Sequence, residues 1–562
     1  MEFKSISIKN FRNFKELSID ISNMNVFFGV NDVGKTNFLY ALRFILDKEV
    51  RKNNLQESDF HNKNTKNPIE ILLTIDISNE KCTDNQKLRA KISGAIKSEH
   101  ELVYIKLIAH YDKSEMMAIP ILYWGGDRDN LFEVKQRGYF FDIDYVFNVI
   151  YIDSYVDLNQ LFKKNINSLI KNDEEDDKKT LTNIKRTINK LNDNISSLSG
   201  IRNFEEKIGP KYKKFKQKDV EISIKSEIAV RGLYSNIVPY IKKNSDEKLY
   251  PTAGDGRRKL LAYSIFDLIA DDYSKKKVNI FIVEEPENHL HKRLQIALSD
   301  LLFNDDTYKY LFISTHSSYI LYEMDSVNLV RVFNNNKMDS ASVFYVVPPA
   351  FKNLKNRLNY KFTEAMFADR VLLVEGPSEI VFFDRVLKSI DSMYEIEGGY
   401  ILDVGGIGFG FYRELLIKLG IKCILKTDND MRANNDEYFP LGFSRCNKYI
   451  KNKENKLPTS MVDNNNIDKK IELYNKYKSK IDVIRKADLI FLSKSDLEND
   501  LKEVLGTELD DYTKGKGLVD FLKKSKHYNM LHIVGHITDE QCRKIYNHYN
   551  FACLKEVLNE IN

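Results

Sequence analysis

The sequence predicts an α/β protein with at least two domains, and three observations support that fold class. The chain has 562 residues, which is more than one hydrophobic core usually supports. Near its start, an apolar strand, a glycine-containing loop and a helical segment follow one another, as they do around a phosphate-binding loop. From residue 250 onward, apolar strand-like runs alternate with helical patterns, which indicates parallel sheets covered by helices.

Composition narrows the class of protein. The chain is 43% hydrophobic and 30% charged, and 86 basic against 81 acidic side chains give a net charge of +5. This balance is typical of globular proteins, so a surface that binds nucleic acid would depend on local clusters of charge. The cysteines form no CxxC pair, which argues against a zinc ribbon or a disulfide framework. No apolar run approaches the length of a membrane span, so we expect a soluble, cytoplasmic protein.

The first 150 residues are predicted to be rich in β-strands. Residues 3–21 alternate apolar and polar side chains and break at Asn10 and Asn13, which predicts two antiparallel strands. Residues 24–29 indicate a short buried strand that ends in glycine and is followed by a helix. Further strands are predicted at 69–77, 102–111 and 116–124, the last two as a pair.

A charged, helical insertion is predicted at about 155–230. Within it, apolar residues recur at alternating spacings of three and four, which is the a/d pattern of a heptad repeat. Two interpretations remain open: a helical hairpin packed on its own domain, or an arm through which two chains dimerise. The residues of this stripe are Leu181, Ile184, Ile188, Leu191, Ile195 and Leu198.

The chain is expected to divide near residue 348. Pro348 and Pro349 lie in residues 344–354, which we interpret as the exit from the first domain. We therefore predict one domain at 1–348, containing the helical insertion, and a second α/β domain at 349–562. Within the second domain, residues 451–482 are expected to form a surface insertion, and the C-terminal tail is predicted to be helical.

The residues GVNDVGKT, at 29–36, match the G-x-x-x-x-G-K-[ST] pattern of a phosphate-binding loop. Its glycines let backbone N–H groups close around phosphates, Lys35 reaches the β- and γ-phosphates, and Thr36 holds Mg²⁺. The strand before it and the helix after it favour this interpretation over a simple glycine turn. The nucleotide-binding candidates here are Asn31, Gly34, Lys35, Thr36 and Asn37.

Two further segments complete a candidate ATP site. Residues 279–292 run from apolar residues into Glu284 and Glu285 at a predicted strand end. One acid there can hold the Mg²⁺ shell, and the next can polarise an attacking water. His316 directly follows a later predicted strand, at its carboxyl end, where open α/β sheets bind ligands. We interpret His316 as a sensor of the γ-phosphate, with a role as a local cap as the alternative.

Between these segments, Gly254 and Gly256 precede Arg257, Arg258 and a helix, which predicts a second anion-binding helix N-terminus. The order of loop, glycine-containing signature, Glu-Glu-Pro and strand-end histidine resembles the ABC-type ATPases of the RecF, SMC and Rad50 kind. The resemblance implies that the signature of one head completes the nucleotide site of a second head. This signature departs from the usual Ser-Gly-Gly-Gln form, which affects the expected hydrolysis rate more than nucleotide binding.

Three acidic clusters in the second half predict a metal site. Hard oxygen ligands from separate strand ends are what Mg²⁺ or Mn²⁺ requires. Enough carboxylates are present for two metals ~4 Å apart, the arrangement that cleaves phosphodiesters. The acids are Glu375 and Glu379 after one predicted strand, Asp428 and Asp430 after a second, and Asp496, Glu498 and Asp500 after a third.

The E-G-x-x-E and D-x-D elements resemble the Toprim fold of topoisomerases, primases and some nucleases. An ABC-type ATPase followed by Toprim resembles the OLD nuclease family, and NDVGKTNFLYALRF, YPTAGDGRRK, VEGPSE, KTDND and SDLENDL are similar to the nuclease subunits of Gabija anti-phage systems. This resemblance covers nearly the whole chain. It implies a sequence-selective endonuclease for duplex DNA that forms tetramers, works with a UvrD-like helicase subunit and is restrained by bound ATP.

The resemblance also implies roles for individual residues. A lysine that stabilises the transition-state phosphate is matched best by Lys526, with Lys516, Lys523 and Lys524 as alternatives. These lysines, with Arg257 and Arg258, could contact the phosphate backbone of DNA. The implied catalytic residues are Glu375, Lys526, Glu285 and His316. The implied ligands of Mg²⁺ or Mn²⁺ are Glu375, Glu379, Asp428, Asp430, Asp496 and Glu498.

Two other functions are alternatives to a nuclease. One is a RecF- or SMC-like repair ATPase whose Toprim-like half only binds DNA; three complete acidic clusters argue against it, because carboxylates bind phosphates only through a metal. The other is a primase- or topoisomerase-type Toprim enzyme. A topoisomerase needs a nucleophilic tyrosine in a separate cleavage domain, and no segment here stands out as one.

Overall fold

The computed structural model of the chain consists of three larger β-sheets flanked by helices. It describes residues 1–30, 33–92, 95–97, 99–137, 140–158, 161, 178–213, 240–242, 249–251, 255–322, 327–334, 340–346, 360–406 and 408–558. Asn31, Gly254 and residues 347–359 of the expected domain exit lie outside these ranges, as do parts of the predicted helical insertion. Within the described ranges, no helix is both long and apolar enough to cross a lipid bilayer.

The first sheet is antiparallel and is built from the alternating segments at the N-terminus. Side chains such as Ile6 and Ile8 are buried while the residues between them face outward, because successive residues of a strand point to opposite faces. The predicted strand pairs are confirmed. In spatial order its strands are Phe14–Asp20, Glu2–Phe11, Ile69–Asp76, Leu102–Asp112, Met117–Gly125 and Phe132–Glu133.

The second sheet is mostly parallel, and its strands are almost wholly apolar because helices cover them. Val278–Glu284, Leu311–Thr315 and Met24–Phe28 lie side by side and run in the same direction. Their carboxyl ends therefore meet at one edge, which brings together the phosphate loop, the Glu284 turn and His316. The spatial order is Phe147–Ile152, Val278–Glu284, Leu311–Thr315, Met24–Phe28, Asn328–Asn334 and Ser340–Val346, the last strand being antiparallel to its neighbour.

The third sheet is fully parallel and has the order Gly399–Asp403, Arg370–Val374, Lys422–Thr427 and Ile490–Leu492. The three predicted acidic clusters follow three of these strands, so they begin at the same carboxyl edge of the sheet. One hydrophobic cluster continues from the second sheet into the third, since it contains both Phe28 and Leu373. Phe28 also packs edge-on against Phe367, with ring centroids 5.5 Å apart.

Helices cover the sheets in both halves of the chain. The N-terminal half has Lys35–Leu46, Lys48–Arg51, Thr83–Ile92, Lys178–Ser196, Ser199–Lys213, Asp255–Ser274, Lys292–Asn304 and Ser318–Tyr322. The C-terminal half has Tyr360–Ala365, Pro377–Ile390, Phe409–Lys418, Leu441–Asn447, Ile467–Lys476, Lys478–Asp488, Leu497–Leu505, Leu518–Lys524, Lys526–Val534, Asp539–Asn547 and Cys553–Leu558. Short strand pairs join Gln136–Arg137 to Phe140–Phe141, Tyr240–Lys242 to Leu249–Pro251, and Arg432–Asn434 to Glu437–Phe439.

The region predicted as a surface insertion at 451–482 is only partly on the surface. Tyr474 and Ile481 are fully buried in the core, and Arg485 donates a hydrogen bond to the Tyr474 hydroxyl at 2.9 Å. The lysines and asparagines of this region belong to the exposed faces of the helices Ile467–Lys476 and Lys478–Asp488. The few apolar residues of these helices anchor them to the core.

Candidate functional site

The phosphate loop is shaped by two glycines that stand where no side chain fits. A Cβ on Gly29 would lie 2.2 Å from the carbonyl oxygen of Val332, and one on Gly34 would lie 2.0 Å from Nδ2 of Asn13. Gly34 also has a φ of 103°, a backbone conformation that glycine adopts readily. Because neighbouring segments pack so closely here, both positions of the motif require glycine.

Lys35 is the first residue of the helix Lys35–Leu46 and is 5% exposed. Its Nζ donates to the carbonyl oxygens of Gly29 at 2.9 Å and Val30 at 2.8 Å. The ammonium is thus held inside the curve of the loop, where the phosphates of a nucleotide would lie. Thr36, one residue later, is exposed and available to a metal ion that accompanies the nucleotide.

Asn37 is bound to the protein itself. Its Nδ2 donates to Oδ1 of Asn13 at 2.8 Å, and its Oδ1 accepts from Nη1 of Arg12 at 2.9 Å. The Arg12 guanidinium lies over the ring of Tyr40, 4.5 Å from its centroid. Asn37 therefore ties the loop helix to the first sheet. The sequence pattern does not indicate that Arg12 and Asn13 contact the phosphate-loop helix, because a break between two strands predicts only a turn.

Glu284 ends its strand in a buried environment, at 6% exposure. Burial raises the pKa of Glu284 to about 7, and the negative charges of Asp153 and Glu285 add to the shift. One oxygen of its carboxyl group is buried without a hydrogen-bond partner. The group is suited to bind a cation, since a metal ion would restore the charged form.

His316 lies between two acids at the end of the neighbouring strand. Its Nδ1 is 3.6 Å from Oε1 of Glu285 and 3.4 Å from Oε1 of Glu287. Glu287 is 4% exposed and also accepts from the His316 backbone N–H at 2.8 Å and from the Thr315 hydroxyl at 2.7 Å. Glu287 thus orients the histidine. Sequence reasoning passed over it, although it lies three residues after Glu284.

Lys259 connects the signature helix to the acidic turn. It lies on Asp255–Ser274 and donates to the carbonyl oxygens of Glu285 at 3.0 Å and Asn288 at 3.3 Å. Burial lowers the pKa of Lys259 to about 8. Of the two predicted signature glycines, Gly256 lies at the start of this helix, facing the carbonyl oxygen of His289, while Gly254 is outside the described residues.

The second acidic edge is organised around Glu375. Its Oε1 accepts from the Thr427 hydroxyl at 2.6 Å and from the Asp428 backbone N–H at 3.1 Å. Arg445, from the helix Leu441–Asn447, donates to the same oxygen. Three donors from two other elements thus fix the carboxylate that follows the first strand of the Toprim-like sheet.

Glu379 also serves as a helix cap. Its Oε2 accepts from the backbone N–H groups of Glu375 at 2.6 Å and Gly376 at 2.9 Å. The side chain is 6% exposed. Burial, together with the charge of Glu375, raises the pKa of Glu379 to about 8. Of the two carboxylate oxygens of Glu379, only Oε1 has no hydrogen-bond partner and could bind a metal ion.

Asp428 and Asp430 have different surroundings, although two residues at this spacing on a strand would point the same way. Burial raises the pKa of Asp428 well above its usual range, and the charges of Glu379, Glu375 and Glu498 raise it further. Asp430 is more exposed, and its Oδ2 accepts from Nη2 of Arg445 at 3.0 Å. The strand ends before these residues, so the alternation of a strand no longer applies to them.

The third cluster pairs acids with lysines. Asp496 lies 2.8 Å from Nζ of Lys523. Burial alone would raise its pKa, but hydrogen bonds from Lys523 and Asn499 outweigh burial and lower it. Glu498, 3% exposed, lies 3.4 Å from Nζ of Lys526.

Two of the four candidate lysines therefore reach the acidic edge. Burial would lower the pKa of Lys526, yet the charges of Glu498 and Asp428 raise it overall, so it remains a cation beside them. Lys516 contacts Lys524 instead, and this contact lowers the pKa of Lys516.

Asp500 belongs to the interior of the fold. It forms a salt bridge with Lys426 at 3.2 Å, and the two side chains are 1% and 0% exposed. Lys426 also donates to the carbonyl oxygen of Asn550 at 3.3 Å. A buried, paired carboxylate of this kind holds a strand to a helix. The charge of Lys426 also reaches the candidate metal ligands, since it offsets part of the rise in the pKa of Glu379 and of Asp428.

The acidic edge fits a divalent cation. Three carboxylate oxygens are buried without a hydrogen-bond partner: Oε1 of Glu379, Oδ1 of Asp428 and Oε2 of Glu498. Buried oxygens normally have partners, and hard oxygen donors are the ligands of Mg²⁺ and Mn²⁺. Among the described residues, no group of three His, Cys, Asp or Glu side chains is placed to hold a metal ion, so the fit of a cation here rests on the chemistry of these three oxygens.

Family models match both halves of the chain. A model described as AAA ATPase domain matches residues 1–122 and 139–321. A model described as Overcoming lysogenization defect protein-like, TOPRIM domain matches residues 366–430. The matches place an ATPase domain before a TOPRIM domain, and they contain the phosphate loop in the first and Glu375, Glu379 and Asp428 in the second.

The chain is similar to known nucleases over most of its length. It is 41% identical to Endonuclease GajA of Bacillus cereus strain VD045, with 99% of both chains covered. It is 26% identical to Endonuclease GajA of Bacillus cereus strain HuB5-5, over 46% of this chain and 41% of that one. It is also 21% identical to the Old nuclease of Escherichia phage P2, over 76% and 77% of the two chains. The protein, an ATPase domain followed by a TOPRIM domain, therefore belongs to the GajA endonuclease family.

Proposed function

We propose that the protein is a metal-dependent DNA endonuclease that cuts duplex DNA in anti-phage defence and is restrained by bound ATP. The observation that carries this proposal is the group of three unpartnered, buried carboxylate oxygens next to the lysines of the acidic edge. Phosphodiester hydrolysis needs a cation to polarise the phosphate and positive side chains to hold it. The oxygens that would bind the cation and the lysines that would hold the phosphate lie at one edge of a sheet, which supports the proposal.

In this proposal the six acids of the edge bind or support Mg²⁺ or Mn²⁺. The metal would supply an activated water and charge stabilisation at the scissile phosphate. Glu375 is oriented by Thr427 and by the backbone of Asp428 to accept a proton or to bind the metal. Lys526 remains protonated beside Glu498 and would hold the phosphate of the DNA.

The ATPase domain would act as the nucleotide sensor. Lys35, Thr36 and the backbone from Asn31 to Gly34 would hold the phosphates and their Mg²⁺, with Glu284 in the metal's outer shell. His316, which contacts Glu287, would sense the γ-phosphate, and Glu285 would polarise a water. The signature at Gly254 and Gly256 would complete the site of a second chain. We place the boundary between the two domains at residue 348.

The likeness to the GajA family supports a proposal on assembly and partners. We propose a homotetramer joined through the ATPase domains, a UvrD-like helicase partner of the GajB kind, and a cytoplasmic location. The heptad stripe supports an arm that contacts a second chain, because Leu191 and Leu198 are 46% and 57% exposed. Apolar side chains of this size are seldom left in water along one stripe unless another surface covers them.

The test is a plasmid-nicking assay with purified protein and Mg²⁺, with and without millimolar ATP. Glu375→Ala is the active-site variant, and Glu397→Ala, a carboxylate of the same domain outside the three acidic clusters, is the matched control. Cleavage that is suppressed by ATP and absent only from Glu375→Ala would support both halves of the proposal. Absence of cleavage with every metal and nucleotide, with and without the helicase partner, would refute it in favour of a repair ATPase with a non-catalytic TOPRIM domain.

A further inference from the structure

Lys259 holds three segments of the ATPase domain together. It lies on the signature helix Asp255–Ser274 and is 4% exposed. Its Nζ donates to the carbonyl oxygens of Glu285 at 3.0 Å, Asn288 at 3.3 Å and Ser154 at 3.3 Å. An ammonium group has three donors, so these three carbonyl oxygens use all of them.

The acidic turn, residues 285–288, has a strained backbone that depends on its surroundings. Glu285 has a φ of 42°, in the left-handed region that side chains other than glycine rarely adopt. Such a conformation persists only where neighbouring groups fix it. Asn288 closes the turn, because its backbone N–H donates to the carbonyl oxygen of Glu285 at 3.1 Å and its Nδ2 donates to Oε2 of Glu285 at 2.8 Å. Lys259 binds the carbonyl oxygens of both residues and so fixes the turn from another element.

The signature helix meets the acidic turn and the residue after it at a second point. A Cβ on Gly256 would lie 3.4 Å from the carbonyl oxygen of His289. Gly256 and Lys259 are three residues apart and therefore lie on the same face of the helix. One helical turn thus packs against residues 285–289, and a movement of one element would displace the other.

The acidic turn carries both carboxylates that flank His316. Nδ1 of His316 is 3.6 Å from Oε1 of Glu285 and 3.4 Å from Oε1 of Glu287. Burial lowers the pKa of Lys259 to about 8, against the opposing charges of Glu287 and Glu285, so the ammonium is still the main form at pH 7. A shift of the turn would move both carboxylates, and the imidazole between them would lose its orientation.

We propose that Lys259 is a positioning residue that, through the acidic turn, holds His316 toward the γ-phosphate and so sets the preference of the site for ATP over ADP. This inference rests on the proposed role of the ATPase domain as a nucleotide sensor. ADP has no γ-phosphate, so the phosphate loop binds both nucleotides while the contact with His316 exists only for ATP. Lys259 itself is buried against carbonyl oxygens and acts only through the turn.

The test measures the affinities of the full chain for ADP and for adenylyl imidodiphosphate, an ATP analogue that is not hydrolysed, by isothermal titration calorimetry with Mg²⁺ and without DNA. Lys259→Met removes the ammonium and keeps an unbranched side chain. Lys275→Met, at an exposed lysine just after the same helix, is the matched control. His316→Ala and the double variant show whether Lys259 acts through the histidine. Circular dichroism and thermal unfolding check that each variant is folded.

We expect Lys259→Met to lower the preference for the ATP analogue over ADP by about tenfold, the usual loss for one polar contact, and to leave the affinity for ADP unchanged. His316→Ala should lower the preference similarly, and the double variant should lower it no further, because residues that act through one another are not additive. The control should keep the preference of the wild type.

An unchanged preference in folded Lys259→Met, an equal loss of affinity for both nucleotides, or additive losses in the double variant would overturn the inference and leave the proposed restraint by ATP intact. No preference in the wild type would overturn γ-phosphate sensing together with the inference. If Lys259→Met does not fold, Lys259→Gln, which keeps an amide donor and loses the charge, is measured against the same outcomes.

Discussion

Arg331 and Asp369 form an ion pair, with 2.7 Å between Nη2 and Oδ1, that joins the sheet of the phosphate loop to the sheet of the acidic edge. Arg331 is 2% exposed and lies opposite Phe28, the last residue of the strand that leads into the loop. It also donates to the carbonyl oxygen of Ala368 at 2.8 Å. Asp369 directly precedes the strand that ends before Glu375, so a single strand separates this pair from the proposed active site.

We predict that Arg331→Met weakens the restraint of cleavage by ATP. The substitution keeps the length of the side chain and removes the hydrogen bonds between the two sheets, so a shift of the loop strand would no longer reach Glu375. Couplings of this kind are typically 5- to 150-fold in affinity, and we expect the ATP concentration for half-inhibition to rise by about tenfold. Plasmid nicking across an ATP titration measures it.

The matched control is Arg370→Met, which also removes hydrogen bonds of an arginine, here a half-buried one, but only to the carbonyl oxygens of Val557 and Glu397 within the same half of the chain. If Arg331→Met binds nucleotide and responds to ATP as the wild type does, the Arg331–Asp369 pair does not couple ATP binding to cleavage.

Lys35→Ala should abolish nucleotide binding and leave cleavage active at ATP concentrations that silence the wild type. The reason is that Nζ of Lys35 is held within the loop by the carbonyl oxygens of Gly29 and Val30, where it would neutralise phosphate charge. A fluorescent ATP analogue measures binding, and nicking with and without ATP measures restraint. Lys52→Ala, on the exposed end of the next helix, is the matched control. If ATP inhibits cleavage equally in Lys35→Ala and the wild type, ATP bound at this loop does not restrain cleavage.

Substitutions at the lysines should distinguish the candidates that the sequence left open. Lys526 and Lys523 reach acids of the edge, and Lys524 contacts Lys516 instead. We expect Lys526→Met to lower the cleavage rate by about 10²- to 10³-fold, the usual cost of one lost transition-state contact, and Lys524→Met to leave it unchanged. Mn²⁺ binding should persist in both. A larger loss in Lys523→Met than in Lys526→Met would transfer the catalytic role to Lys523.

The sequence predicted the positions of the acids because their placement depends on strand ends, which short apolar runs reveal. It did not reveal Arg445, which follows Asp430 by 15 residues and reaches Glu375 only through tertiary packing. Glu287 was visible in the same segment as Glu284, yet its role depends on how the turn directs its carboxylate toward His316. The sequence also did not indicate the capping role of Glu379, because only the acid of a capping box is present and glycine stands where its Ser or Thr would be.

The stability of the nucleotide-free protein should depend on pH through Glu284. Its folded pKa of about 7 exceeds the ordinary value of 4.5, so the folded state holds a proton that the unfolded state releases between these values. The free energy of unfolding should therefore fall as pH rises through this window, by up to about 1.4 kcal/mol per pH unit, and the effect should level off above pH 7.

Glu284→Gln should remove this dependence, because the amide does not ionise. The difference in unfolding midpoint between variant and wild type, measured in EDTA, should grow from pH 5 to pH 7 and then stay constant. Glu101→Gln, at an exposed acid, should show no such growth. A constant difference for Glu284→Gln across the whole range would contradict a raised pKa at this position.

The last prediction concerns the heptad stripe, which runs along the helix Lys178–Ser196 and ends at Leu198, before the next helix begins at Ser199. Burial of Leu191 and Leu198 against a second chain would remove apolar surface from water, which stabilises an assembly by ~25 cal/mol per Å², whereas an intradomain hairpin would leave assembly unaffected by these positions. Leu191→Glu with Leu198→Glu should therefore lower the mass measured by light scattering, and so should deletion of residues 178–200. Lys190→Glu changes charge at an adjacent exposed position and should keep the wild-type mass. An unchanged mass in the double variant and the deletion would favour the hairpin, because only a contact between chains makes the oligomer depend on these leucines.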